Sequence, residues 1–324
     1  MHISHTTKLL GIAASLLMVP SLAFAQTYPN RAIKIIVPAP PGGAIDIIAR
    51  VVGDKLATSM GQPIVIENKP GASNNLGTDA IAKSAPDGYT IGIVGGSHNI
   101  NKFLFKGLAW DPEKSFEPIV YTHVVPLLFA IHPKIPAKNL PEFVNWMKTN
   151  PDQAKVATSG RGSAQEMAAE MFRIATGVNM QLIPYKGSSA AHPDLLGGRT
   201  ALYIDTVSAI LSQVKSGNVR AIAVSTIKRT SALPDVPTAD EQGLKGYDAN
   251  TNGGFLAPAG TPKSVIAKLN SEINAALKLP DVRAKLETAG IEIQGGSPEE
   301  YAALIKSDLI KWDKVIKAAG IQPE

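Results

Sequence analysis

The chain has 324 residues, no cysteine and a formal charge of +5. The missing cysteines exclude disulfides, cysteine-bound zinc, a thiolate nucleophile and a lipid anchored to cysteine. The small basic excess forms no Lys/Arg block and no basic–aromatic interleaving, so we expect no nucleic-acid partner, and it suits a small anionic ligand. A chain of this length is expected to form two domains.

Residues 1–25 have the features of a secretory signal peptide. Lys8 precedes the apolar run Leu9–Val19, and Ala23–Ala25 fits a small-residue cleavage site. The apolar run is too short to span a bilayer, and no later stretch approaches the ~18 apolar residues that a spanning helix needs. We therefore expect cleavage after Ala25 and a periplasmic protein that is not a lipoprotein and begins at Gln26.

From Arg31 onward, short apolar runs alternate with amphipathic segments, which favours a mainly parallel sheet flanked by helices. The predicted strands of this half are Ile33–Val37, Ile64–Glu67 and Tyr89–Val94, and the predicted helices are Asp46–Met60 and Thr78–Ser84. Ligands of such sheets lie beyond the carboxyl ends of the strands. We therefore expect one rim to be formed by three polar, glycine-rich loops, namely Pro40–Asp46, Gly71–Gly77 and Gly95–Asn101.

A second strand–loop–helix unit follows in the second half of the chain. The apolar stretch Ile119–Ile131 is too long for a typical strand and is expected to cross between domains, with the chain returning at Gly253–Ala257. Further predicted strands are Val156–Thr158, Met180–Pro184, Ala201–Ile204 and Val219–Ser225. Further predicted helices are Leu140–Thr149, Glu166–Thr176, Pro262–Leu277, Val282–Ala289 and Glu299–Ala319.

The first rim loop has the chemistry of an anion site. Gly42 and Gly43 permit a tight turn with close backbone approach, and Asp46 falls in the first turn of a helix, where a carboxylate complements the helix dipole. A strand, a glycine turn and a helix start together present unpaired N–H groups that bind anions. The alternative interpretation is an ordinary connection between a strand and a helix.

Polar groups also gather at strand ends in the second half. Arg161 stands between Gly160 and Gly162, where packing needs no bulky cation, and its guanidinium could hold a carboxylate through two hydrogen bonds. The alternative is a solvated arginine, and for Lys186 the solvated interpretation is favoured. Asp205 could bond a ligand, orient Arg161 or cap the next helix.

The catalytic and cofactor-binding motifs that the sequence suggests are incomplete. The glycine pair of Ser159–Gln165 lacks the third glycine of a dinucleotide fingerprint, and Gly95–Asn99 lacks the last glycine of a nucleophile elbow. Ser97 and His98 are adjacent, a spacing that rarely places a nucleophile against its base. We therefore expect no catalytic residue and no cofactor.

The histidines of the mature chain are not spaced as metal ligands, so no local metal site is expected. His98 lies in a predicted rim loop and is equally compatible with a ligand contact or a packing role. For the others we expect surface or structural positions; these are His123, His132 and His192.

Seven ordered motifs resemble one known family. They are PxxPGGxxD at Pro38–Asp46, ENKPGA at Glu67–Ala72, APDGYT at Ala85–Thr90, PYKG at Pro184–Gly187, DLLGGR at Asp194–Arg199, LPDVPT at Leu233–Thr238 and LAPAGTP at Leu256–Pro262. The chain is similar over its whole mature length to the Bordetella-uptake-gene (Bug) type receptors of tripartite tricarboxylate transporters. The resemblance implies a receptor that performs no chemistry on its ligand.

The resemblance implies an α/β, two-lobed periplasmic-binding-protein fold of type II-like topology. Each lobe is a mainly parallel sheet flanked by helices, with the cleft between the lobes closing on a carboxylate. We expect residues 26–126 plus 252–324 to form one lobe and 127–251 the other. The expected ligand-binding residues of the first lobe are Ala39, Pro41, Gly42, Gly43, Ala44, Ile45, Asp46, Ser97, His98 and Asn99. Those of the second are Ser159, Arg161, Gly162, Ser163, Tyr185, Lys186, Gly187, Ser188 and Asp205.

Four positions depart from the family pattern. Ala39 replaces an aromatic residue, Ile45 a small one, Arg161 a small or amide residue, and Glu166 a histidine. More space at Ala39, an apolar wall at Ile45 and a cation at Arg161 favour a larger, flatter anion than malate or aspartate. We expect an aromatic carboxylate or dicarboxylate such as terephthalate.

The alternatives are a receptor for aliphatic di- or tricarboxylates or acidic amino acids, a soluble receptor for a sensor protein and, less favoured, an enzyme. We expect a monomer whose partners are the membrane components of the transporter.

Overall fold

The computed structural model describes residues 28–324. The predicted signal peptide and its cleavage site lie outside the described residues. Within residues 28–324, no helix combines the length and the apolar character needed to cross a lipid bilayer.

Strands and helices alternate along most of the described chain. The strands are β1 (Ile33–Val37), β2 (Ile64–Asn68), β3 (Thr90–Val94), β4 (Phe116–Ile131), β5 (Lys155–Thr158), β6 (Gln181–Pro184), β7 (Leu202–Thr206), β8 (Arg220–Val224), β9 (Asn250–Pro258) and β10 (Glu292–Ile293). The helices are α1 (Ala44–Met60), α2 (Asn75–Ala82), α3 (Ser97–Leu104), α4 (Leu140–Thr149), α5 (Ala164–Thr176), α6 (Ser188–Leu196), α7 (Val207–Lys215), α8 (Lys263–Lys278), α9 (Pro280–Thr288) and α10 (Pro298–Ala319).

The first lobe is built on a sheet with the order β2-β1-β3-β9-β4. β1 pairs in parallel with β2 and β3, whereas β9 runs antiparallel to β3 and β4. Helices α1 and α8 pack on this sheet through fully buried side chains, among them Ile35, Ile48, Phe255 and Leu269. Each such side chain stabilises the fold by roughly 1.5–3 kcal/mol through burial.

The second lobe repeats the arrangement with the order β6-β5-β7-β4. β5 pairs in parallel with β6 and β7, and β7 runs antiparallel to β4. Its core is aromatic: the ring centroid of Phe129 lies 5.4 Å from that of Phe172 and 5.6 Å from that of Tyr247. The structure therefore has the two-lobed α/β architecture that the resemblance implies.

β4 is unusually long because its two parts belong to different sheets. Over Phe116–Pro126 it pairs with β9, and over Leu127–Ile131 it pairs with β7 and β8. The chain returns along β9, whose pairing with β4 ends at Asn250. The exact residue boundaries of the lobes stay a prediction.

The C-terminal helix α10 contacts both lobes. Trp312 and Ile316 of this helix pack in one buried cluster with Ile100 and Leu104 of α3 and with Met167 of α5. The sequence periodicity of this segment predicted a helix, but it did not predict that the helix would contact both lobes.

Candidate functional site

A cavity of about 740 Å³ lies between the lobes, at the carboxyl ends of the parallel strands. We call it the interlobe cavity. Five helices begin on its wall: α1 and α3 from the first lobe, and α5, α6 and α7 from the second. The chain reaches it through the loops that follow β1, β3, β5, β6 and β7, as expected for a sheet of this kind.

Most of the predicted site residues meet at this cavity. Its lining includes Ala39, Pro41, Gly42, Gly43, Ala44, Ile45, Ser97, Ser159, Arg161, Gly162, Ser163, Lys186, Gly187 and Ser188. Five predicted residues lie behind the lining instead, namely Asp46, His98, Asn99, Tyr185 and Asp205. Lining residues that were not predicted include Ile47, Asn74, Gln165, His192 and Thr251.

The loop after β1 is held from behind by Asp46. Its Oδ2 accepts a hydrogen bond from the Gly42 N–H (2.8 Å), and both of its oxygens accept from Arg50 at 2.9 Å. Asn68 donates to Asp46 (2.9 Å) and to the Ala39 carbonyl (3.0 Å). Burial alone would raise the pKa of Asp46, but the bonds from Arg50, Gly42 and Asn68 outweigh it and lower that pKa. Asp46 therefore shapes the loop rather than lining the cavity.

The loop after β5 is built in the same way. Glu166 accepts a hydrogen bond from the Gly162 N–H at 2.8 Å, four residues earlier, and its own N–H donates to Ser163 at 3.1 Å. Burial raises the pKa of the Glu166 carboxyl, partly offset by the Gly162 bond and the nearby Arg161 charge. Glu166 thus has the positioning role in the second lobe that Asp46 has in the first.

The two lobes touch at one edge of the cavity. Ser73 donates to the Arg161 carbonyl (3.2 Å), and Asn101 donates to the Ser73 carbonyl (2.7 Å). Gly162 has φ +75°, and a Cβ on it would lie 2.9 Å from Oδ1 of Asn101. Any other residue at this position would be strained by the positive φ and would have to displace the Asn101 amide.

Arg161 is engaged by the C-terminal residues. Its guanidinium forms an ion pair with Glu324 and donates to the Gln322 carbonyl, and the side chain is 38% exposed. Lys186 is exposed, and within residues 28–324 it forms no ion pair. The hypothesis that Arg161 holds a ligand carboxylate stays a prediction.

His98 packs in the first lobe rather than lining the cavity. Gly95–Asn101 was expected to be a loop, but α3 already begins at Ser97, which turns the His98 ring inward. The ring stacks on Trp110 at 5.1 Å and meets Phe116 edge-on at 5.0 Å. Burial lowers its pKa to about 4, so the ring is neutral near neutral pH.

Asn99 and Tyr185 also have partners away from the cavity. Asn99 donates to the buried carboxyl of Asp308 at 3.4 Å, and the Tyr185 hydroxyl donates to Asp194. Both side chains therefore join elements behind the wall.

Asp205 anchors a hydrogen-bonded network behind the second-lobe wall. The side chain is fully buried, and its Oδ2 lies 2.8 Å from Nε2 of His192. From the sequence, we expected His192 at a surface or structural position. His192 lies four residues after Ser188 on the helix that follows the PYKG loop, so the two side chains share one face of that helix. This spacing is the signal that could have placed His192 at the site.

The electrostatics of the cavity favour an anion. Within the described residues 28–324, no Asp or Glu is among the residues that line the cavity, while Arg161 and Lys186 are. In four of the helices that begin there, α1, α3, α6 and α7, the N-cap residue forms no capping hydrogen bond through its side chain. The N–H groups of a helix's first turn carry partial positive charge, which favours an anion at this wall. In the same part of the chain, no cluster of three or more His, Asp or Glu side chains is placed to hold a metal ion.

The sequence matches a known receptor family. The model of the tripartite tricarboxylate transporter family receptor, TctC, matches residues 48–321. The chain is 33% identical over 322 residues to protein BugT of Bordetella pertussis, covering 99% of each chain. It is 35% identical over 319 residues to a UPF0065 protein of the tcbD-tcbE intergenic region in Pseudomonas sp. strain P51, covering 97% of this chain and 94% of that one.

Solved structures give the same result. The periplasmic binding protein BugD superposes with a TM-score of 0.81 at 35% identity, covering 92% of this chain and all (100%) of BugD. Rpa4515 of R. palustris with adipate gives 0.84 at 32% identity with 92% and 100% coverage. MatC of Rhodopseudomonas palustris with bound malate gives 0.79 at 31% identity with 89% and 100% coverage.

These matches confirm the resemblance that the motifs indicated. The chain belongs to the TctC family of tripartite tricarboxylate transporter receptors, and it is a Bug-type periplasmic solute-binding protein rather than an enzyme.

Proposed function

We propose that this receptor captures a small organic carboxylate by lobe closure and delivers it to the membrane components of a tripartite tricarboxylate transporter. The observation that carries the proposal is the interlobe cavity itself. Five helices begin on its wall, two cationic side chains line it, and within residues 28–324 no carboxylate side chain does. A bound anion replaces the water on those N–H groups and contacts both lobes at once, which stabilises the closed arrangement.

The ligand that we favour is an aromatic carboxylate or dicarboxylate such as terephthalate. Part of the first-lobe wall is apolar, namely Ala39, Pro40, Pro41, Ile45 and Ile47. The small side chains of Ala209 and Ala289 also line the cavity. A flat ring would bury apolar area against this wall, while carboxylates at its ends meet the polar groups of both lobes.

The related receptors with bound ligand support the dicarboxylate class. Rpa4515 holds adipate and MatC holds malate, and both are dicarboxylates of different length. Aliphatic dicarboxylates are therefore the direct alternative. We further propose that the receptor acts as a monomer in the periplasm after signal-peptide removal, since lobe closure needs one chain and one ligand.

A thermal-shift screen followed by calorimetry tests the ligand class. Terephthalate, benzoate, adipate, malate and citrate are compared with terephthalamide, which keeps the ring but carries no charge. A ligand that binds only the folded state raises the melting temperature in proportion to its concentration over Kd. Stabilisation by terephthalate but not by terephthalamide supports the proposal. Micromolar binding of malate or citrate without binding of aromatic acids would overturn the aromatic preference, and no response to any acid would overturn the carboxylate function.

A further inference from the structure

The Asp205 carboxylate fixes the direction of every hydrogen bond around it. Its Oδ1 accepts from Ser188 at 2.7 Å, from Gln165 at 3.2 Å and from the Thr206 N–H at 2.8 Å. Its Oδ2 lies 2.8 Å from Nε2 of His192. Because a carboxylate offers only acceptors, Nε2 of His192 carries the proton and donates.

This hydrogen bond determines whether Nδ1, the other ring nitrogen of His192, accepts or donates a hydrogen bond in the cavity. With Nε2 protonated, Nδ1 is an acceptor in the neutral ring and a donor in the imidazolium. The side chain is 16% exposed and forms part of the cavity lining. The ring is also held in place by Tyr203, which meets it edge-on at a centroid distance of 6.0 Å.

The Ser188 hydroxyl of the same wall already donates its proton to Asp205. The Tyr203 hydroxyl donates to Ser188 at 3.1 Å. Ser159 contacts the hydroxyls of Tyr203 and Ser188, and the geometry of each contact allows either oxygen to be the donor. Because its proton goes to Asp205, Ser188 has none left for a ligand carboxylate.

The first-lobe wall has the opposite polarity. Ser97 accepts from Asn74 at 2.9 Å, and Thr251 accepts from the Gly96 N–H at 3.2 Å. Both hydroxyl protons remain available to the cavity, which both residues line. Ser97 and Thr251 can therefore donate to a ligand carboxylate from the first lobe, and Ser163, which accepts from the Glu166 N–H, can do so from the loop before α5. Beside Asp205, His192 is a side chain that lines the cavity and can donate to a second carboxylate.

We propose that His192 is a specificity-determining residue, whose imidazolium donates from Nδ1 to the second carboxylate of a dicarboxylate ligand while Asp205 positions the ring. This inference rests on the proposed carboxylate function. The charged or titratable groups in contact with His192 are Asp205 and Tyr203 of β7, and Lys186 of the loop before α6 and Arg161 of the loop before α5 line the same cavity. An imidazolium at His192 adds a positive charge beside the Asp205 carboxylate, at the cavity wall that a second ligand carboxylate meets.

In this arrangement, the second negative charge of the ligand and the positive charge of the His192 imidazolium stabilise each other. A dicarboxylate binds together with one proton, so its affinity rises as the pH falls. A monocarboxylate of the same ring gains much less. His192→Gln keeps a donor toward Asp205 but cannot become a cation, which isolates the charge from the packing.

Calorimetry with terephthalate and benzoate on the full mature chain tests this. We expect His192→Gln to weaken terephthalate binding at about pH 5.5 by about tenfold, the size of a lost charge-assisted hydrogen bond, and to change benzoate binding by less than about twofold. Proton uptake, measured in buffers of different ionisation enthalpy, should vanish in the variant. His132→Gln is the matched control, because His132 lies outside the interlobe cavity and should leave both affinities unchanged.

Three outcomes of these measurements decide whether His192 has the proposed role. Loss of proton uptake together with selective loss of terephthalate affinity supports the assignment. Wild-type binding of both acids with His192→Gln unchanged, or with both acids weakened equally, overturns the assignment alone. A wild-type protein that binds neither terephthalate nor benzoate overturns the proposed aromatic ligand, and the assignment of His192 falls with it.

Discussion

The N–H of Gly42 donates to the Asp46 carboxylate four residues later across 2.8 Å, and the bond from Gly162 to Glu166 repeats this spacing and distance in the other lobe. Each acidic side chain folds back from the first turn of a helix onto the loop that precedes it. The carboxylates thereby shape the two loops without entering the cavity. Two loops of opposite lobes are thus fixed by the same local device.

Asp46→Ala should destabilise the first lobe and weaken ligand binding. The substitution leaves the Gly42 N–H without its partner and removes the paired bonds from Arg50. We expect the free energy of unfolding to fall by about 2–3 kcal/mol, since bonds to a charged, buried group are lost. Denaturant unfolding measures this. Asp54→Ala is the control, because Asp54 is exposed on the same helix and its loss should cost less than about 0.5 kcal/mol.

A comparison of Gly162→Ala with Gly177→Ala should distinguish a steric clash between the lobes from the backbone strain of a positive φ. The new methyl group would lie 2.9 Å from Oδ1 of Asn101, whereas Gly177→Ala places its methyl at a similar positive φ with nothing within 4 Å. Both variants should lose about 1–2 kcal/mol of stability. We expect only Gly162→Ala to lower ligand affinity as well, by about tenfold in calorimetry. Equal affinities in the two variants would show that the contact with Asn101 does not matter for closure.

Glu166→Gln should change the pH dependence of stability. Burial raises the pKa of Glu166 in the folded state, so the folded state holds a proton that the unfolded state releases. Its contribution is therefore fully present below the ordinary pKa of glutamate and is lost as the pH rises through the folded-state pKa. Glutamine keeps an acceptor for Gly162 without titrating. Melting curves from pH 4 to 8 should show wild type losing stability relative to Glu166→Gln as the pH rises, and parallel curves would contradict this assignment.

Arg161→Ala should weaken carboxylate binding more than Lys186→Ala. Arg161 lines the cavity and also ties its loop to Glu324, so its loss removes a cation and an anchor together. Lys186 is exposed and solvated, and its contribution is screened. We expect losses of about tenfold and about twofold by calorimetry. Equal and negligible losses would remove Arg161 from the site.

Much of this site follows from local sequence rules. The glycine turn and the acidic residue of Pro38–Asp46 act within a few residues of each other, so the pattern correctly predicted a turn followed by a helix with Asp46 in its first turn. The helix begins at Ala44, two residues before the predicted start. Ser297 and Glu300 are a second local case, since their side chains form a capping box at the start of α10. Local rules failed at His98, which was predicted to lie in a loop. A short polar helix that follows two glycines has the same composition as a loop, so the pattern could not distinguish the two.

The sequence by itself determined that the chain alternates strands with helices, carries glycine loops suited to an anion and resembles one receptor family. Those features depend on periodicity, turn chemistry and motifs that are read within short windows. The tertiary structure decided which side chains meet. It brought His192 to Asp205, Arg161 to Glu324 and Gly162 to Asn101, and it turned His98 into the core. Such pairings depend on how separate elements pack and on which hydrogen-bond acceptor each buried donor finds, and no local pattern specifies them.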